Sequence, residues 1–122
     1  MGPGLVGILL RGEFVAIGVA GVVLWFAQGG SLIWVVPALL APDLSIAGYA
    51  GGPRLGTVVY NAVHNLVLAL GFVGIGFLIA STPLVLAGAV LIAHIGMDRT
   101  SGFGLKYVTS FQDTHLGRIG HR

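Results

Sequence analysis

Apolar residues run along the chain in four long stretches, and polar residues gather at the breaks between them. The first stretch covers residues 8–27 and stops at Gln28-Gly29-Gly30-Ser31. The second covers 31–50 and is interrupted by Pro37 and by Pro42-Asp43, so that part of it reads as a half-helix. The third covers 55–80 and the fourth 82–98. Crossing a bilayer takes about 20 residues at helical rise. The third stretch exceeds that, the first meets it, and the fourth needs to continue through Asp98 and Arg99. The pattern predicts an all-α, polytopic membrane protein. Residues 1–98 form a bundle of four transmembrane helices, and residues 99–122 form a C-terminal interfacial segment. A cleavable leader is not expected, because the first stretch lacks a small-residue cleavage site and the rest is equally apolar.

Composition agrees. The 122 residues are 56% hydrophobic and only 8% charged, with a mean hydropathy of +0.98. A soluble domain carries about 25% charged residues, so a soluble enzyme, a disordered tail and a nucleic-acid module are excluded. The absence of cysteine removes disulfides, thiolate metal sites and cysteine nucleophiles. The 21 glycines sit within apolar runs, where small residues let helices approach closely. Ala16/Ala20, Gly48/Gly52, Gly52/Gly56 and Ala89/Ala93 have the small-xxx-small spacing of such contacts.

Charge placement sets the topology. Arg11 opens the first span, and Arg54 separates the second from the third. Arg99, Lys106, Arg118 and Arg122 close the fourth or follow it. With four spans all six basic residues fall on one side, which the positive-inside rule assigns to the cytoplasm together with both termini.

Ionisable groups inside a bilayer cost about 2.5–3.5 kcal/mol each on insertion scales and are functional candidates by default. Here they all occupy one half of the bundle: Glu13 early in span one, Asp43 late in span two, His64 about 15 Å into span three, and His94 with Asp98 at the end of span four. Thr57, Tyr60, Asn61 and His64 share one helix face, as do His94 and Asp98. His64 and His94 with carboxylates from Asp43, Asp98 or Glu13 make an N/O ligand set suited to Zn, Mn or Fe. Plainer readings stand beside this one. Glu13 pairs with Arg11, Asp43 caps a helix, His64 bonds Asn61, Tyr60 or another helix, and Asp98 fixes one tautomer of His94. The tail mixes aromatics with Lys106 and Arg99 and suits the headgroup layer as an anchor. The sharper expectation is a lid that brings His115, as a further ligand, and Asp113 over the site.

The segments Ala41-Pro42-Asp43-Leu44-Ser45, Tyr60-Asn61-x-x-His64, Ala93-His94-Ile95-Gly96-x-Asp98-Arg99, Gly102-Phe103-Gly104-Leu105-Lys106-Tyr107 and Thr114-His115-Leu116-Gly117 resemble a family of small bacterial membrane proteins catalogued as a domain of unknown function. The resemblance covers nearly the whole chain. It implies the four-helix fold and a multi-pass location in the bacterial cytoplasmic (inner) membrane, and brings no activity.

Three functions compete. The first is a metal-dependent hydrolase of a lipid-like or phosphorylated amphiphile, with Asp43 or Glu13 as general base and Arg99 or Lys106 holding an anionic headgroup. The second is a subunit of a larger membrane complex, structural or binding haem or chlorophyll through His64 and His94. The five-residue difference in their depths, roughly 7 Å, strains a shared haem. The third is a small dimeric transporter, which would need polar stations across the whole bilayer. Expected partners are the lipid bilayer and either a second copy or a larger complex, with no nucleic acid.

Overall fold

The computed structural model describes residues 4–107 and 110–119. Five α-helices carry the bundle: α1 (Gly4–Ala27), α2 (Leu32–Leu40), α3 (Pro53–Val63), α4 (Leu66–Leu78) and α5 (Thr82–Thr100). A 3-10 helix, Ala41–Gly51, continues α2. α1, the α2/3-10 run and α5 are each long and apolar enough to cross a membrane, and α3 with α4 passes the same test as one span bent by 43°.

Side-chain caps start three of the helices. The hydroxyls of Ser31 and Ser81 accept the backbone N–H of Ile33 and Leu84, and the Asn65 amide oxygen accepts that of Val67. Two spans differ from uninterrupted helices. The second changes from α to 3-10 winding at Ala41, beside Pro42, and keeps it for 11 residues. Such runs rarely exceed 3–4 residues. The third breaks at His64-Asn65, where Asn65 is extended and caps α4. Gly52, with φ of 108°, turns the chain between the 3-10 helix and α3.

α5 lies at the centre. Over half of its apolar window is buried, against 11% for α1, and every residue from Gly88 to Gly96 is buried. α1 reaches it backbone to backbone: a Cβ on Gly21 would lie 2.7 Å from the Ala89 carbonyl oxygen, and one on Gly96 would strike Gly18. On the opposite side, a Cβ on Gly88 would lie 2.8 Å from the Ala69 carbonyl of α4. Ala89 and Ala93 therefore do pack as the small-residue spacing predicts. Ala16 and Ala20 do not; both are exposed, and α1 presents Gly18 and Gly21 instead. Large apolar side chains line the outside, among them Leu5, Ile33, Trp34, Val67 and Leu78. An apolar exterior around a glycine- and alanine-packed interior is the arrangement of a helical membrane bundle.

The tail adds a small antiparallel sheet, β1 (Lys106–Tyr107), β2 (Ser110–Thr114) and β3 (Gly117–Arg118), in the order β1-β2-β3. β1 and β2 pack against α3, and Thr114 is buried.

Backbone contact between α1 and α5 yields a direct prediction. Gly21→Leu should lower stability by at least about 1–3 kcal/mol through overpacking, whereas Ala20→Leu on the outer face should be close to neutral. Thermal unfolding of both variants in detergent checks this.

Candidate metal centre

Asp43, His64, His94 and Asp98 come together, each offering one ligand atom, and these four atoms lie within 4.8 Å of one another. The Nε2 atoms of the two histidines face each other at 3.1 Å. The Asp43 Oδ1 lies 3.1 Å from His94 Nε2 and 3.3 Å from His64 Nε2. The Asp98 Oδ2 lies 3.1 Å and 3.6 Å from the same two atoms. His64 and His94 are 4% and 1% exposed, Asp98 16% and Asp43 46%, so the centre opens outward on the Asp43 side alone.

The backbone orients both rings. His64 Nδ1 is 2.9 Å from the Tyr60 carbonyl and His94 Nδ1 is 2.6 Å from that of Leu39. A carbonyl only accepts, so each Nδ1 carries the proton and each Nε2 turns its lone pair inward. The fold supplies both carbonyls at its breaks. In 3-10 winding the Leu39 carbonyl would bond the N–H of residue 42, and Pro42 has none. Tyr60 is in the last turn of α3, and its carbonyl accepts both the His64 backbone N–H, at 2.9 Å, and the ring Nδ1–H. Its ring also stacks on His64, with centroids 3.8 Å apart and planes 9° from parallel.

With both Nδ1 protonated, the centre holds two nitrogen lone pairs and two carboxylate oxygens and no donor. Four acceptors at such range, two of them on buried rings, repel unless a cation joins them. A shared proton satisfies one pair of atoms and leaves the others facing. A divalent ion satisfies all four. Ligands 2.0–2.1 Å from a tetrahedral ion stand about 3.3–3.4 Å apart; the five separations that involve a histidine are 3.1–3.6 Å, and all four atoms lie within 4.8 Å. Nδ1–H bonds to backbone carbonyls are the usual outer support of histidine ligands. The residues fit a metal.

Other expectations fare differently. Asp43 does not cap a helix; it sits within the first 3-10 turn with its carboxylate on the imidazoles. The predicted pairing of His94 with Asp98 is present, and the stripe through Thr57, Tyr60 and His64 is buried. The depth difference that strained a shared haem is absent, because α3 ends at His64. Yet a macrocycle does not fit between Nε2 atoms 3.1 Å apart on rings inclined at 65°. Glu13 is exposed on α1 and outside the ligand group. Arg99 stands beside Asp98 in sequence with its guanidinium over the Phe14 ring at 5.6 Å. The tail does fold back onto α3, but His115 is outside the ligand group. Its Nδ1 accepts the Leu105 N–H at 2.8 Å, and its own N–H bonds the Leu105 carbonyl. The side chains of Lys106, Asp113 and Arg118, and Arg122 as a whole, lie outside the described residues. Leu39 is the participant that sequence reasoning missed; its signal is the proline three residues on.

Residues 7–119 match the family described as Domain of unknown function (DUF4260). The chain belongs to this family. No curated protein and no solved structure matches it. A DUF4260 chain thus carries the two-histidine, two-aspartate cluster on three helical segments, the 3-10 helix, the end of α3 and α5.

In the tail, partial desolvation first and the Arg99 charge second lower the His115 pKa below its ordinary 6.5. The docked tail favours the neutral ring, so its docking is fully stable above 6.5. It weakens as pH falls through 6.5 and is weakest below the depressed value. Amide exchange at Leu105, whose N–H needs an unprotonated Nδ1, should accelerate over that window and stay constant above it.

Proposed function

We propose that this protein is a membrane-embedded, metal-dependent hydrolase of a lipid-like or phosphorylated amphiphile. Asp43, His64, His94 and Asp98 hold the ion, which their nitrogen and oxygen donors suit to Zn, Mn or Fe. The observation that carries the reading is the meeting of four acceptor atoms without a donor among them. An ion bound there would supply Lewis acidity and a water of lowered pKa.

The chain's own residues divide the remaining work. His64 and His94, sealed from solvent and fixed by carbonyls, hold geometry. Asp43 is the most open ligand and lies where a reactant arrives, so it is the proton acceptor for an incoming water. Arg99, steadied by Phe14 and next to Asp98, attracts an anionic headgroup. Glu13, exposed on α1, has no part in this arrangement. The bent α3/α4 pair counts as one span, which makes four. Both termini and the centre then face the cytoplasm of a bacterial inner membrane, as the basic residues direct.

The alternatives draw less support. Haem or chlorophyll would have to enter between touching imidazoles. A transporter needs stations in both halves of the bilayer, and every described Asp, Glu, His, Lys and Arg belongs to the end that carries the tail. Apolar outer faces on α1, α2 and α4 suit lipid, a second copy or a larger complex equally.

Purified protein should carry one divalent ion per chain. His64→Ala and His94→Ala should each weaken its binding more than about 100-fold, beyond the 10–100-fold typical of losing an outer partner. His115→Ala should leave it unchanged. Metal analysis of the three variants at equal folding checks this.

A further inference from the structure

Beneath the centre lies a second feature that the hydrolase reading does not use. An apolar groove of about 340 Å³ runs between the 3-10 helix, α4 and α5. Each element that supplies a ligand also supplies a wall or leads into one. Pro42 directly precedes Asp43, Val63 directly precedes His64, and Leu91 stands one helical turn before His94. The groove continues away from the ligands along Leu68 and Phe72 of α4 and Ala87 of α5. Asp98 lies four residues from His94 toward the tail, whereas Leu91 and Ala87 lie three and seven residues the other way. The groove therefore descends about 10 Å from the ligand level toward the bilayer centre. Leu68 is 37% exposed at its edge, so it opens on the lipid-facing surface.

A second groove, of about 400 Å³, runs between α1 and α5 past Phe14, Val19 and Met97. Leu39 lines it, and the Leu39 carbonyl holds His94 Nδ1. That groove is on the wrong side of the imidazole: a chain in it could not bring its head to the Nε2 atoms. The groove below Pro42 and Val63 instead begins at the sequence neighbours of Asp43 and His64 and opens toward hydrocarbon at Leu68.

We propose that this groove holds one hydrocarbon chain of the substrate, placing a metal-ligating polar head at Asp43, His64, His94 and Asp98 with its tail toward the bilayer centre. This rests on the metal reading above and narrows it to an amphiphile whose reacting bond lies at the junction of head and chain. The site reads the first methylenes after the head, because those face Pro42, Val63 and Leu91. A soluble short-chain molecule would reach the ligands but leave the groove empty.

The test uses cobalt-loaded, full-length protein in detergent and two hydroxamates, acetohydroxamate and decanohydroxamate, followed by the cobalt visible spectrum. Both probes carry the same chelating head, so their ratio of affinities isolates the chain. Ala87→Phe fills the groove, Ala87→Leu fills it less, and Val19→Phe obstructs the α1/α5 groove instead. Micelle partitioning of the probes is common to all four proteins. The expected result is unchanged acetohydroxamate binding throughout, with decanohydroxamate weakened at least tenfold by Ala87→Phe, less by Ala87→Leu, and not by Val19→Phe. Equal chain-length dependence in wild type and both Ala87 variants, or a loss confined to Val19→Phe, overturns the groove assignment while leaving the metal centre standing. Failure of acetohydroxamate to perturb the spectrum of any of them shows an ion closed to reactants, and overturns the hydrolase reading and the groove assignment with it.

Discussion

Two imidazole nitrogens facing each other at 3.1 Å are the constraint around which the rest of this structure is arranged. Both are lone-pair atoms, since the protons of both rings are committed to backbone carbonyls. Two carboxylate oxygens close the same space. His64 and His94 are 4% and 1% exposed, so little solvent relieves the crowding of their nitrogens, and unpaired polar groups there are costly. A positive charge relieves this repulsion, and a divalent ion suits four ligand atoms of this kind.

The scaffold serves that centre through its irregularities. Pro42 cannot donate to the Leu39 carbonyl in the 3-10 winding, which leaves that oxygen for His94. The Tyr60 carbonyl keeps its bond from the His64 N–H and takes the ring Nδ1–H on its second lone pair. The break at Asn65 bends the third span by 43° just where His64 must meet α5. Meanwhile glycines at 18, 21, 88 and 96 bring α1 and α4 onto α5 at backbone distance. The close-packed central helix fixes His94 and Asp98, and the ligands on the 3-10 helix and α3 are placed against it. Rigidity on α5 and openness at Asp43 are what the proposed hydrolase requires of its centre.

Much of this was legible in the residues. Apolar length located the spans, because hydrocarbon thickness fixes how many residues must be apolar. The cost of burying charge singled out Asp43, His64, His94 and Asp98, and helical spacing placed His94 with Asp98. Three things were not legible. The His64 break carries no breaker signal, since neither proline nor glycine stands among residues 62–67. The roles of Leu39 and Tyr60 as acceptors involve main-chain atoms, which every residue has. The fate of His115 depended on tail register: its spacing allowed a ligand, but pairing with Leu105 directs Nδ1 to the backbone. The inward glycines of α1 were passed over for Ala16 and Ala20 because their spacing is three residues rather than four.

The most direct measurement is X-ray absorption at the K-edge of the ion in metal-loaded protein. The account predicts a single site with two imidazole nitrogens, recognisable by multiple scattering from their rings, and at least two carboxylate oxygens, all at about 2.0–2.2 Å. A spectrum without imidazole scattering, or with one histidine only, would contradict it.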